Sequence, residues 1–338
     1  MRNELNNKLK NELKNDLNNA FSFGIGAEII SGKAVKDLIP SMRTEDLIGA
    51  LYVPSDGVIN PADVCMALGK WAKHDGAQIA EGMEVTGFDI RHGEIAAVHT
   101  TKGLVRADLV VNAAGLWGHN VGALCGMQIP AVNVEHQYAV FDPNPEWESD
   151  WKTMPTIRDP EFTLYYKPEP SGKMIVGGWE KGTVPVFGTG LLPMSFGPEL
   201  FSENMDRFET HAHGAMHLFP GLEDVGLSAM INGPIPMTPD GNPIIGWAPA
   251  LQNMFVVTGF IAGIGSAGGV GEFVAKWMLE GRSGPAPVQD VREEEELQMF
   301  APERFPAMSA EEAAVEAVRV YGSYYDIDGT ATQAKMNE

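Results

Sequence analysis

Hydrophobic and polar positions divide the chain into stretches of different texture. In residues 1–20, MRNELNNKLKNELKNDLNNA, Leu5, Leu9, Leu13 and Leu17 recur at every fourth position and Phe21 continues the series. That spacing gives one narrow apolar stripe on a helix. The stretch can be a docking helix, but its composition favours a low-complexity extension. It lacks the apolar core of a secretory signal, and its Glu and Asp content is unlike a transit peptide. From residue 25 the pattern becomes that of a folded chain. Asn60-Pro61 supplies an N-cap and a first-turn proline, and Val64, Ala67, Leu68, Trp71 and Ala72 mark one helical face as far as Gly76. Glu84 to Arg91 alternates like a strand, His92-Gly93 turns it, and Glu94 to Thr101 returns. After a turn at Lys102-Gly103, Ala107 to Gly115 is an apolar run ending in small residues, as in a buried strand whose end meets a ligand closely.

The middle of the chain differs. Val132 to Phe141 and Phe162 to Trp179 predict long antiparallel strands, the second stretch folding back at Pro168-Glu169-Pro170-Ser171-Gly172, and Glu199 to Leu218 predicts a helix. Buried-strand texture returns at Met254 to Thr258, followed by a glycine turn and a helix over Gly271 to Leu279. The first texture resumes after the second. The fold class expected is therefore α/β (α+β), with an incomplete cofactor domain interrupted by an antiparallel-sheet substrate domain. The expected boundaries are an extension at 1–24, the cofactor domain at 25–129 and 231–285, the substrate domain at 130–230, and a C-terminal acidic segment with a helix at 286–338.

Composition narrows the classes of partner. The chain has 338 residues, with 24 basic against 45 acidic ones for a net charge of −21. That balance argues against nucleic acid or an anionic membrane, both of which need clustered Lys and Arg. Two cysteines, Cys65 and Cys125, allow no disulfide framework, and a cytoplasmic setting is the default expectation. Gly241 to Gly271 is free of charge, yet Pro243, Pro249 and repeated glycines make a strand and glycine turn a better reading than a membrane span.

Three constellations could carry chemistry. Gly263-Ile264-Gly265-Ser266-Ala267-Gly268 has GxGxxG form between a strand and a helix, but no second strand ending in an acidic residue follows. It serves either ligand binding at a helix N-terminus or tight strand–helix packing. Asn112-Ala113-Ala114-Gly115-Leu116-Trp117 offers small residues at a strand end, with Trp117 beside them. Asn232-Gly233-Pro234 and Thr238-Pro239-Asp240-Gly241 read as two rigid turns in a loop. His211, His213 and His217 lack a third kind of ligand nearby, so no metal site is expected. Cys125 reads as a buried structural thiol.

In order, these segments carry a family resemblance. Gly49-Ala50-Leu51-Tyr52 with Asp56-Gly57, Val110 to Trp117, and Glu135-His136-Gln137-Tyr138 are followed by Asn232-Gly233-Pro234, Pro239-Asp240-Gly241, Gly259-Phe260 and Ala267 to Gly271. The set resembles the flavin-dependent amine oxidoreductases of the D-amino-acid-oxidase superfamily, most of all the dimethylglycine and sarcosine dehydrogenase group. The resemblance implies FAD and oxidation of a small secondary or tertiary amine, such as an N-methylated amino acid. Hydride leaves the carbon next to nitrogen, and the iminium formed hydrolyses. It implies that Val85 meets the adenine, and that Ala113, Ala114, Gly115 and Trp117 line the cofactor. Gly233 and Pro234 are implied near the isoalloxazine, and Gly263, Ile264 and Gly265 at its pyrimidine edge. Tyr138 and His136 are the candidate catalytic residues. The implied partners are the amine and an electron acceptor, either oxygen or an electron-transfer protein.

Two departures from the family pattern shape the expectation. Relatives place a true GxGxxG and a ribose-binding acid at their start, whereas Phe23-Gly24-Ile25-Gly26-Ala27-Glu28 is followed by Ile29 where the third glycine belongs. The chain also ends before the folate-binding domain of the large dehydrogenases, after a capping box at Ser309-Ala310-Glu311-Glu312. The sequence thus reads as a fragment lacking its pyrophosphate cradle. It is expected to be either an amine-oxidising flavoenzyme or a non-catalytic remnant that binds FAD weakly.

Overall fold

The computed structural model describes residues 2–147, 153–282, 286–288 and 295–324. Pro285 and residues 291–294 of the acidic stretch lie outside them. Two compact units are present. The first comprises residues 1–60, 137–180 and 203–231, and the second 61–136, 181–202 and 232–338. Residues 25–60, grouped from sequence with the segment that follows them, fall in the first unit.

In the first unit, α1 (Arg2–Ser22) precedes the short antiparallel pair β1 (Glu28–Ile30) and β2 (Ala50–Tyr52). The extension is therefore helical, and Leu13 of its stripe lies over Gly49. Helix α2 (Gly32–Leu38) starts where the Ser31 hydroxyl accepts from the Ala34 N–H. The strands β7 (Val132–Phe141), β8 (Ile157–Asp159), β9 (Leu164–Pro168), β10 (Met174–Gly178) and β11 (Leu227–Met237) form one sheet in the order β11-β7-β10-β9-β8. The division between units falls inside β7 and inside β11. On β9, Leu164, Tyr166 and Pro168 alternate inward. Helix α5 (Met205–Leu218) brings Phe208, His211, Ala215 and Leu218, spaced by three and four, onto the same core. It begins at Met205 rather than Glu199, because Asn204 caps it, accepting from the Arg207 N–H at 2.9 Å.

The second unit builds a smaller sheet, order β12-β13-β6, from β6 (Val110–Asn112), β12 (Ile244–Trp247) and β13 (Met254–Thr258), with β13 and β6 parallel. Ile244, Met254 and Val256 pack one way with Ile95, Met127 and Ile129. Ile245, Trp247 and Phe255 pack the other way with Val274 and Trp277 of α6 (Gly263–Glu280). Burial on both faces explains the unbroken apolar run of β13. A separate sheet joins β3 (Val85–Arg91), β4 (Glu94–Thr100) and β5 (Gly103–Val105). His92 (φ 53°) and Gly93 (φ 80°) make its first turn, both left-handed as a two-residue hairpin requires.

Several expectations need correction. Only Val110–Asn112 of the run from Ala107 to Gly115 is strand. Helix α6 starts at Gly263, eight residues before Gly271, so the glycine motif forms its first turns. Asn232-Gly233-Pro234 lies within β11 rather than in a loop. Helix α3 (Pro61–His74) forms as expected but buries none of its side chains; Met66, Leu68 and Trp71 are exposed. The capping box opens α7 (Ala310–Tyr321), with Glu312 accepting from the Ser309 N–H at 2.7 Å.

Candidate cofactor site

The parallel strands β6 and β13 end side by side, Asn112 opposite Val256, and each runs directly into a turn. The crevice beyond the carboxyl ends of parallel strands is where α/β sheets bind ligands. After β6, the buried Asn112 amide donates to the Gly118 carbonyl at 2.9 Å, and its Oδ1 accepts from the Ala114 N–H at 3.3 Å. These bonds fold Ala113 to Trp117 into a tight corner. Gly115 is left-handed (φ 54°), and a methyl group built on it meets no atom within 4 Å. Helix α4 (Gly118–Leu124) then leaves against Thr258, where a Cβ on Gly118 would stand 2.2 Å from Thr258 Oγ1. That hydroxyl donates to the Gly115 carbonyl at 3.1 Å and ties the ends of the two strands together.

After β13, Gly259 (φ 78°) leads into α6. No side chain caps α6, and its first turn holds no acidic residue. Its first N–H groups and macrodipole therefore favour an anion. Gly265, Gly268, Gly269 and Gly271 all face open space.

A wall rises beside the corner. The Trp117 indole donates to the Pro193 carbonyl at 3.0 Å, Asn120 to Leu192 at 3.0 Å, and Asn133 to Leu116 at 2.9 Å and Gly190 at 3.1 Å. Asn232 donates to Glu135 Oε2 at 3.0 Å and to the Ser202 carbonyl at 2.8 Å. The side-chain carbonyl oxygens of Asn120, Asn133 and Asn232 are buried without a protein donor. An unsatisfied buried acceptor costs about 1–3 kcal/mol, which a ligand N–H or a water relieves. Below Gly233-Pro234, the turn at Thr238 to Asn242 is held by Arg304, which donates to both Asp240 oxygens at 2.8 and 3.0 Å.

Of the candidate residues, Ala113, Ala114, Gly115 and Trp117 form the corner, Gly263, Ile264 and Gly265 the first turn of α6, and Gly233 and Pro234 the neighbourhood of Asn232. All belong to the second unit. Val85 opens β3 opposite Thr100, in the separate sheet. His136, also in this unit, meets the Tyr321 hydroxyl through Nδ1 at 2.8 Å. Tyr138 belongs to the first unit, opposite Gly177 of β10, where a Cβ would come within 2.9 Å of the tyrosine Cβ. Burial pushes its phenol above the ordinary value, with Lys167 pulling the other way and Glu169 adding to the rise. It is therefore protonated at neutral pH and a hydrogen-bond donor. Gln137, between the two, is buried and exchanges bonds with the Asn204 backbone, a structural role. Sequence reasoning placed Asn112 and Glu135 inside motifs without a role for their side chains, and missed Asn120 and Asn133. Isolated polar residues beside apolar runs were the available signal, and nothing local said which carbonyls they would reach.

The histidines of α5 do not converge. His211 is buried against Thr163 Oγ1 at 3.3 Å, whereas His217 meets Arg43 and Phe162. Among the described residues no three metal-ligating side chains cluster, and no helix is long and apolar enough to cross a membrane.

Residues 4–277 match the family of FAD dependent oxidoreductases (DAO). The chain is 35% identical to mitochondrial sarcosine dehydrogenase of Mus musculus over 268 residues, 77% of this chain and 28% of that protein. It is likewise 35% identical to mitochondrial dimethylglycine dehydrogenase of Mus musculus over 257 residues, 75% of this chain and 30% of that protein. Among solved structures, L-proline dehydrogenase from P. horikoshii aligns with a TM-score of 0.71 at 25% identity, covering 86% of this chain and 72% of that one. The chain belongs to the DAO family of FAD-dependent oxidoreductases. It spans only 28–30% of the length of the two curated relatives. FAD is the cofactor of the family, and the corner and the uncapped helix end fit its flavin end. A cradle for its pyrophosphate is less evident. Gly24 and Gly26 follow the C-terminal end of α1, and the N–H groups of Gly24 and Ile25 are already spent on the Phe21 and Ala20 carbonyls at 3.0 and 2.9 Å.

Proposed function

We propose that this chain is the flavin-bearing core of an enzyme that oxidises a small secondary or tertiary amine, an N-methylated amino acid such as sarcosine or dimethylglycine. The observation that carries the reading is the equal 35% identity to a sarcosine and a dimethylglycine dehydrogenase. When bound, FAD supplies the acceptor for the hydride leaving the carbon next to nitrogen. Gly263, Ile264 and Gly265 would hold the pyrimidine edge, where the N–H groups of the helix end stabilise negative charge. Ala113, Ala114 and Gly115 would let a planar ring approach the backbone, with Trp117 fixed beside it by Pro193 and Gly233-Pro234 adding to the lining. Val85 would meet the adenine through its backbone. Tyr138, protonated, would donate a hydrogen bond to the substrate, and His136, oriented by Tyr321, would serve as its polar neighbour in the chain. The electron acceptor would be oxygen or an electron-transfer protein.

The test is to load the purified chain with FAD, exclude oxygen, and add sarcosine, dimethylglycine or glycine in turn. Bleaching of the visible flavin band by the methylated compounds is expected. A bound flavin that glycine bleaches and the methylated compounds do not would refute the reading.

A further inference from the structure

The segment that walls the corner carries three phenylalanines, none of which the family match assigns a role. Phe187, Phe196 and Phe201 have ring centroids 5.8–6.2 Å apart. Phe196 and Phe201 lie near-parallel at 30°, and Phe187 stands at 78° and 80° to them. The chain spends conformational freedom to place the first ring. Val186 is fully buried, and Pro185 to Gly190 then turns back on itself through the Gly190 N–H to the Val186 carbonyl at 2.8 Å. This forces Phe187 into the left-handed region (φ 50°), which non-glycine residues seldom adopt. Phe187 as a whole is 59% exposed. A turn built only for compactness would put glycine at that position, as it does at Gly188 (φ 75°), and would not hold a large apolar ring in water.

The cluster is anchored to the candidate cofactor site within the same unit. The Phe201 N–H donates to the Asn232 carbonyl at 2.9 Å, one residue before Gly233, and Pro193, three residues before Phe196, accepts from Trp117. Pro185 and Gly188, on either side of Phe187, line a recess of about 360 Å³ with Glu311, Ala314, Val315 and Val318 of α7. None of the three rings lines that recess, so the ring faces and the Glu311 carboxylate favour a cation separately, and the net charge of −21 draws cations to the molecule. We infer that Phe187, Phe196 and Phe201 form a recognition surface for a methylated ammonium group. The inference rests on the proposed function and deepens it. The secondary and tertiary amines invoked there carry this charge at neutral pH, and the aromatic surface would hold the N-methyl ammonium form at the rim of the flavin corner.

The experiment uses the full chain without added flavin, so that its outcome is independent of amine oxidation. Tetramethylammonium is titrated against tert-butyl alcohol, which has the methyl groups but no charge, and the methyl proton resonances are followed by NMR. The cation should show a saturable upfield shift from the ring faces, and the alcohol should not. Phe187→Leu should weaken cation binding by about threefold and Phe187→Trp should strengthen it, in the order of ring quadrupoles at exposed sites. Because the side chain of Phe187 projects into solvent, both variants leave the core intact, and a thermal melt checks this. Equal binding of cation and alcohol, or a Phe187→Leu variant that binds like the parent, would overturn the inference. Either result would leave the flavin-bleaching test untouched.

Discussion

At the scale of single residues, the fold has contacts with no room for change, and these give the sharpest tests. A methyl group on Gly118 would collide with Thr258 Oγ1, and Thr258 is fully buried. Gly118→Ala should therefore cost about 1–3 kcal/mol, the usual penalty of overpacking. The double variant with Thr258→Ala should recover part of it, read from urea midpoints. His211 predicts a pH dependence. Burial depresses its pKa from 6.5 to about 4, so the fold holds the neutral ring. As pH falls from about 6.5 the unfolded chain takes up a proton that the folded chain refuses, and stability is lost progressively down to about pH 4. The decline attributable to His211 should reach about 2 kcal/mol by about pH 5 and be absent in His211→Gln. A stability profile of the histidine variant parallel to the parent's would contradict the assignment. Tyr138→Phe removes a donor that burial keeps protonated; turnover of the flavin-loaded chain should fall about tenfold or more with the flavin spectrum unchanged.

At the scale of elements, the sequence was most legible where local chemistry decides. The hairpin turn at His92-Gly93, the capping box at Ser309, and strand β7 over Val132–Phe141 each follow from residues a few positions apart. It was less legible where tertiary contacts decide. Gly233-Pro234 carries the signature of a turn, yet β11 runs through it, because pairing across the sheet outweighs a local preference. The glycines from 263 to 271 read as a turn leading into a helix, yet α6 begins at the first of them. Val270, Phe273, Val274 and Trp277 pack that helix on the β12–β13 sheet, and this offsets the low propensity of glycine. The corner after β6 was visible only as small residues; its shape depends on Asn112 bonding within the corner and on Asn133 and Thr258 reaching carbonyls far along the chain. The uncapped start of α6 can be tested at this scale. Gly265→Asp places a carboxylate in the first turn, where it should stabilise the helix by about 0.3–1 kcal/mol. The same charge should weaken FAD binding and make the bound flavin harder to reduce. A rise in stability together with a loss of cofactor is the expected pair of results, read by thermal melt and spectroscopic titration. Unchanged affinity would remove the start of α6 from the cofactor site.

At the scale of the whole molecule, the two units have separate cores, and the candidate cofactor residues all lie in the second. The corner after β6 and the uncapped start of α6 in that unit offer open glycines and a helix dipole, which suit a planar anionic ring. The surface of that unit also carries large apolar groups. Met66, Leu68 and Trp71 of α3 are exposed, and so are Val111 of β6, Leu104, Val105 and Leu109. FAD binding depends as much on the pyrophosphate as on the ring, because helix-end N–H groups meeting two phosphates supply contacts that flavin-end residues cannot replace. The glycine pair at 24 and 26 follows a helix instead of opening one, so it offers no such cradle. These 338 residues should therefore bind FAD weakly. Added FAD should perturb the chain through the corner at Gly115 and the start of α6, yet wash out on desalting and leave a folded, colourless protein. A yellow protein with stoichiometric flavin after desalting would show that the pyrophosphate is held some other way, and would move the search for its cradle to the basic and backbone donors of the second unit. Riboflavin separates the two ends of the cofactor, since it has the ring without the phosphates. If the flavin end alone carries the affinity, riboflavin and FAD should bind within about threefold of one another, whereas a much tighter FAD complex would place a phosphate site among the residues of this chain.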